Sequence, residues 1–270
     1  MYDYVFICFL LGNDFLPHFP ALNIRTDGIT RVTAAYKQTI SKTGNLTKDG
    51  KIVWKNMRHF IKILADNEQE YFMTEHAIRD KQARSVQHGR PGDDPQVQAL
   101  LNLPLADRKK ETYINPFEDG WDYRYYRMLF NSKRSDDLIK DVSINYLEGL
   151  EWTLKYYTDG CPDWRWSYRY NYPPLLKDLI NYVPYFDVEL VPNKTMNPVS
   201  PLVQLSYVLP PACFYLLPRK LETNLLKNHS KWYDMNQVGI EYSYCRYFWE
   251  GHVHTPHIDL TELTRVVEMT

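Results

Sequence analysis

The chain has 270 residues, 44% hydrophobic and 24% charged, which excludes a disordered polymer and allows one or two domains. Lys and Arg number 32 against 33 Asp and Glu, a net charge of −1; this excludes a protein that coats duplex nucleic acid through an overall basic surface. Single-strand binding in a local groove stays open, because stacking needs rings more than net charge, and the chain carries 22 Tyr, 7 Trp and 11 Phe.

Residues 4–11 form a continuous apolar run that ends at Gly12-Asn13-Asp14. Continuous apolarity is expected of a strand buried on both faces, as in a parallel sheet. The run lacks the basic stretch of a signal peptide and is too short to span a bilayer, so no membrane association is expected. Ile29, Val32, Tyr36 and Ile40 have helical spacing, and turns follow at Thr43-Gly44-Asn45 and Lys48-Asp49-Gly50. A longer helix is expected over residues 54 to 74, with Trp54, Met57, Ile61, Leu64 and Tyr71 on one face. Residues 79–110 are polar around Gly89-Arg90-Pro91-Gly92-Asp93-Asp94-Pro95 and are expected to form a mobile surface loop, with room for short helical flanks. Ser135 is placed to cap a helix reaching about Tyr157, with Ile139, Val142, Tyr146, Leu150 and Leu154 aligned. Gly160-Cys161-Pro162 is a stop signal. Helix-sized segments then alternate with Pro-rich loops, so the fold class is mainly α after the first strand.

Three constellations could carry chemistry. Asp14, at the carboxyl end of the expected strand, stands where open α/β sheets place ligands; it suits a divalent metal or simply caps the next turn. The second lies within residues 113–185, which hold twelve of the 22 tyrosines. Its loop Trp164-Arg165-Trp166-Ser167-Tyr168-Arg169-Tyr170 interleaves rings with arginines, as base stacking beside phosphate contacts requires; the alternative is an aromatic core. The third is Cys245 with His252, His254 and His257, whose spacing matches no common structural zinc pattern. The four cysteines, Cys8, Cys161, Cys213 and Cys245, are scattered, so an intracellular compartment, cytoplasmic or nuclear, is expected.

Taken together, the segments resemble the 5′→3′ exoribonucleases of the Xrn type. Residues 4–18, with Gly12-Asn13-Asp14-Phe15-Leu16-Pro17-His18, look like the last nuclease-core motif. Residues 146–174 resemble the family's Glu-Gly-x-x-Trp, Tyr-Tyr and Trp-x-Trp signature. Gln204-Leu205, Val208-Leu209-Pro210-Pro211, Leu217-Pro218, Tyr233-Asp234, Trp249-Glu250-Gly251 and Ile258-Asp259 resemble the later blocks, in family order.

The resemblance implies a helical domain over residues 51–270, preceded at 1–50 by the terminal strand and metal-site motif of a truncated α/β nuclease core. It implies hydrolysis of 5′-monophosphorylated single-stranded RNA with Mg²⁺ or Mn²⁺ held by an acidic cluster, since such ions take several oxygen ligands. Asp14 matches the family's last metal-site Asp. Asn13 and His18 match neighbouring motif positions that orient it, His18 alternatively being a buried structural residue. Trp164 or Trp166 matches the region that supplies a ring near the substrate's 5′ end, with Arg165, Tyr168 and Arg169 in the same RNA-facing loop. Asn171 stands where the family usually has His, Pro173 where it has Ala, and His252, His254 and His257 where it is apolar or aromatic. The family's other metal carboxylates and its basic 5′-phosphate pocket lie upstream of the Asp14 motif. The expectation is therefore part of an exoribonuclease that needs an N-terminal nuclease half, separate or lost, and is inactive alone. The alternative is a non-catalytic single-stranded RNA-binding or scaffold module.

Overall fold

The computed structural model describes residues 2–84 and 94–270. They contain twelve α-helices and four short strands, so the architecture is mainly α as expected. None of the described helices is long and apolar enough to cross a membrane. The chain divides into two compact units, Met1–Thr195 with Ser243–Phe248 and Met196–Tyr242 with Trp249–Thr270.

The expected first strand is a helix. Residues Tyr2–Cys8 form α1, and Phe9–Leu11 continue as a 3₁₀ turn. Asp3, Phe6, Ile7 and Leu10 are buried while Tyr2, Tyr4 and Val5 are exposed, which is the three-four spacing of a one-sided helix. Short apolar runs do not separate strand from helix by periodicity. Here Asp3 decides the matter, because its buried carboxylate accepts from Leu46 N, Thr47 N, Thr47 Oγ1 and the Tyr36 hydroxyl at 2.6–2.9 Å. The strand neighbours a parallel sheet would need are replaced by a two-stranded antiparallel pair, β1 (Thr47–Lys48) and β2 (Lys51–Ile52). Its turn is the expected Lys48-Asp49-Gly50, with positive φ at Asp49 and Gly50.

Helix α2 (Gly28–Lys42) buries Arg31, Val32, Ala35 and Thr39. Ile29 and Ile40, expected on its core face, are exposed, because Arg31 turns inward to bond Glu75 Oε1 at 2.6 Å and Ala21 O at 2.8 Å. The single helix expected over residues 54 to 74 is two, α3 (Trp54–Asp66) and α4 (Glu68–Arg84). Asn67 divides them, its side chain donating to Ile63 O. Most of the described part of the expected 79–110 loop is helical as well. Helix α4 runs to Arg84; α5 (Pro95–Ala106) starts on an Asp94 cap; α6 covers Lys109–Ile114. Residues 85–93, including Gly89, Pro91 and Gly92, lie outside the described residues.

Helix α7 (Trp121–Leu129) precedes α8 (Asp136–Thr158), the longest element among the described residues, which starts at the expected Ser135 cap with Ser135 Oγ accepting from Leu138 N. A single turn, α9 (Leu176–Leu179), is the last α-helix of this unit. Its main core gathers Phe6, Leu10, Leu16, Phe19, Met57, Phe60, Tyr146 and Leu150. The other unit packs α10 (Pro201–Val208), α11 (Arg219–Asn228) and α12 (Leu260–Glu268) around Val203, Phe214, Leu221, Leu225 and Leu263, and also holds the antiparallel pair β3 (Gly239–Glu241) and β4 (His252–His254).

Candidate functional site

The site is built on one face of α8. Asn145, Glu148, Gly149, Trp152 and Tyr156 recur at three- and four-residue spacing, so they share that face. Two sequence-distant loops pack on it. The first is the turn over residues 12–18. Gly12 adopts φ +94°, and a Cβ there would come within 3.1 Å of His18 Cβ, so glycine permits the chain to fold back on itself. Asn13 Oδ1 then accepts from Phe15 N at 2.8 Å and Leu16 N at 2.9 Å. The Asn13 side chain thus shapes the turn by binding two of its backbone amides, and His18 is half-buried against Gly12. Asp14, at the turn's tip, is exposed.

The turn docks through its next two residues. Phe15 meets Trp152 edge-on at 4.8 Å and Tyr156 at 5.1 Å. Leu16 sits over Gly149, where a Cβ would be only 2.5 Å from Leu16 Cδ2. The second loop, residues 163–170, reaches the same helix. Trp152 stacks on Tyr156 at 5.1 Å with planes 9° apart, and on Trp166 at 5.4 Å with planes 23° apart. Pairs of this kind add about 0.5–1.5 kcal/mol each beyond their buried area. Trp152 Nε1 donates to Asp163 O at 2.9 Å. Asp163 Oδ1 accepts from Arg165 N and Oδ2 pairs with Lys194 at 2.7 Å. Burial pushes the Asp163 carboxyl up, but the Lys194 ammonium and the Arg165 amide outweigh it and hold the group below its usual range.

The candidate residues therefore separate by environment. Trp166 and Tyr168 are half-buried, Tyr168 edge-on to Tyr146 at 5.6 Å with its hydroxyl donating to Tyr172 O. Trp164, 47% exposed, Arg165 and Arg169 lie at the surface. Among the described residues no group of three or more His, Cys, Asp or Glu side chains could hold a metal ion. Asp14 belongs to no such group among the described residues. Cys245 lies in one compact unit while His252, His254 and His257 lie in the other.

The family model of the Xrn1 helical domain matches residues 1–100 and 96–270, the whole length. The chain belongs to this family. It is 27% identical, over 98% of its length, to a Drosophila melanogaster protein named 5′-3′ exoribonuclease 2 homolog. It is also 27% identical to the Gallus gallus 5′-3′ exoribonuclease 2 and 24% identical to that of Candida albicans, again over 98% of its length. It spans 34%, 35% and 40% of those three relatives, about a third of their length.

For this Xrn1-type helical domain, motif spacing alone places Asp14 and the Trp-x-Trp loop. It does not single out Phe15 or Asn145, which tie those motifs to α8. Asn145 was discoverable from helical spacing, since it precedes Gly149 by four residues and Trp152 by seven. Phe15 carries no such signal, because its partners lie more than a hundred positions away.

Proposed function

We propose that this chain forms the helical wall and one metal-site carboxylate of a 5′→3′ exoribonuclease acting on 5′-monophosphorylated single-stranded RNA. Asp14 joins acidic residues supplied by a nuclease core outside these 270 residues, with Mg²⁺ or Mn²⁺ as the ion. Trp164 is the ring that stacks on a base, Trp166 is its packed support, and Arg165 and Arg169 face phosphates. The observation that supports this most is the shared seat: Phe15 and Leu16, adjoining Asp14, and Trp166, beside the exposed loop residues, pack on the same turns of α8. The relatives' names point to the same activity.

A non-catalytic RNA-binding module is the second reading, favoured by a loop with an exposed Trp164, Arg165 and Arg169 and by the lack, among the described residues, of a group of three or more His, Cys, Asp or Glu side chains that could hold a metal ion. One measurement tests both readings and a second separates them. The Trp164→Ala substitution is expected to weaken binding of a 5′-phosphorylated oligouridylate about ten-fold, within the range for loss of one base stack, with the melting temperature unchanged. Unaltered affinity counts against both readings. Digestion of the same RNA with Mg²⁺ is expected only when a family nuclease-core segment is supplied with the chain, and to vanish in Asp14→Asn. Binding without digestion in the combined preparation selects the non-catalytic module.

A further inference from the structure

We infer that Asn145 positions Arg169 toward bound RNA phosphate. The inference rests on the proposal that the loop around residues 164–170 meets single-stranded RNA, and it names what aims that loop. Asn145 is 2% exposed on α8. Its Oδ1 accepts from the Arg169 backbone N–H at 2.9 Å and from Arg169 Nε at 3.4 Å. Its Nδ2 donates to Glu148 Oε2 at 3.1 Å, and the same oxygen accepts from Trp166 Nε1 at 3.4 Å. One buried amide thus binds both the main chain and the side chain of an exposed arginine, and through Glu148 reaches the Trp166 indole.

The chemistry of the site calls for an amide. An acceptor is needed toward Arg169 and a donor toward Glu148, and the Asn amide carries both on one carbon, fixed in one plane. Aspartate would set a second carboxylate against Glu148, and alanine would strand the Arg169 N–H. With Nε turned to Asn145, the Arg169 Nη1 and Nη2 groups make no hydrogen bond or ion pair among the described residues. Those two nitrogens form the fork that matches phosphate oxygens. Holding the fork in place before RNA arrives removes part of the ordering cost that a long, flexible side chain brings to binding.

The test is a double-mutant cycle on the full chain, read by fluorescence anisotropy of a labelled, 5′-phosphorylated oligouridylate across a KCl series. Arg169→Ala is expected to weaken binding about ten-fold and to lower the slope of log K against log salt by about 0.7, the value for one single-strand phosphate contact. Asn145→Ala is expected to weaken it about five-fold with a similar loss of slope, and the double variant to bind no worse than Arg169→Ala. If Arg169→Ala binds like the parent, the RNA-facing loop itself is wrong. If Arg169→Ala weakens binding while Asn145→Ala does not, or if the two losses multiply, the loop stands and the role of Asn145 falls. Should Asn145→Ala not fold, Asn145→Leu, which keeps the side-chain volume and removes the acceptor, takes its place under the same coupling criterion.

Discussion

Trp152 stacks on Trp166 with ring centroids 5.4 Å apart, and Gly149, one helical turn before Trp152, lets Trp166 approach that closely. Two loops meet at this point. A Cβ at Gly149 would stand 2.5 Å from Leu16 Cδ2 and 2.8 Å from Trp166 Cη2, so the missing side chain is what allows the Asp14 turn and the Trp-x-Trp loop to share one helix face.

The Gly149→Ala substitution separates packing from helix propensity. Propensity alone makes alanine better by about 1 kcal/mol in a helix interior. Overpacking of this severity costs roughly 1–3 kcal/mol. The expected outcome is a less stable protein by about 1 kcal/mol in urea denaturation, with weaker oligouridylate binding as the loop shifts. A more stable variant would show that the face yields easily and that glycine is not required there.

The segment Ser243–Phe248 is held to its compact unit by a buried ionic cluster. Glu111, 1% exposed, pairs with Arg79 and Arg108 at 2.6 Å, and its Oε1 also accepts from Tyr244 N at 2.8 Å. Arg79 Nη1 donates to Cys245 O at 3.0 Å. Removing one member of a buried pair leaves an uncompensated charge and costs about 3–5 kcal/mol. Glu111→Gln is expected to lose at least about 3 kcal/mol and to expose residues 243–248 to limited proteolysis. A loss below about 1 kcal/mol, with the segment still protected, would show that the cluster is incidental.

Glu68 supplies a pH dependence. Burial pushes its carboxyl up from 4.5 to about 7, against the opposing pull of the Lys177 and Leu176 amides that it accepts at 3.0 and 2.6 Å. The folded protein therefore holds this proton more tightly than the unfolded chain. The stability linked to it is fully present below about pH 4.5 and is lost as pH rises through about 7, with a slope of at most ~1.4 kcal/mol per pH unit. Relative to Glu68→Gln, the parent protein is expected to lose stability between pH 5 and pH 8. A stability difference that stays constant over that range would show that Glu68 is ionised throughout.

Local chemistry was legible where the residues that decide an element lie beside it. Ser135 starts α8 because its hydroxyl accepts from an amide three residues on, and Asp49-Gly50 turns the β1–β2 hairpin because both residues take positive φ. Errors arose where a remote partner decided. The apolar run at residues 4–11 is helix instead of strand because Asp3 bonds groups more than thirty residues away. The core face of α2 is rotated because Glu75 draws Arg31 inward. The polar stretch expected as loop with short helical flanks holds a twelve-residue helix, Pro95–Ala106, whose Pro104 O accepts from Arg79 at 3.2 Å.

The same division runs through the candidate site. The family, the mainly α class, the turn carrying Asp14 and the aromatic loop are written in neighbouring residues, whose caps, spacings and turn chemistry act over a few positions. That Trp164 is exposed and Trp166 packed, that the Asp14 turn and the loop share α8, and that Asn145 bonds Arg169 are set by the folded chain. Those outcomes depend on close packing and hydrogen bonding between segments far apart in the chain, where a missing methyl at Gly149 or one buried amide sets the arrangement.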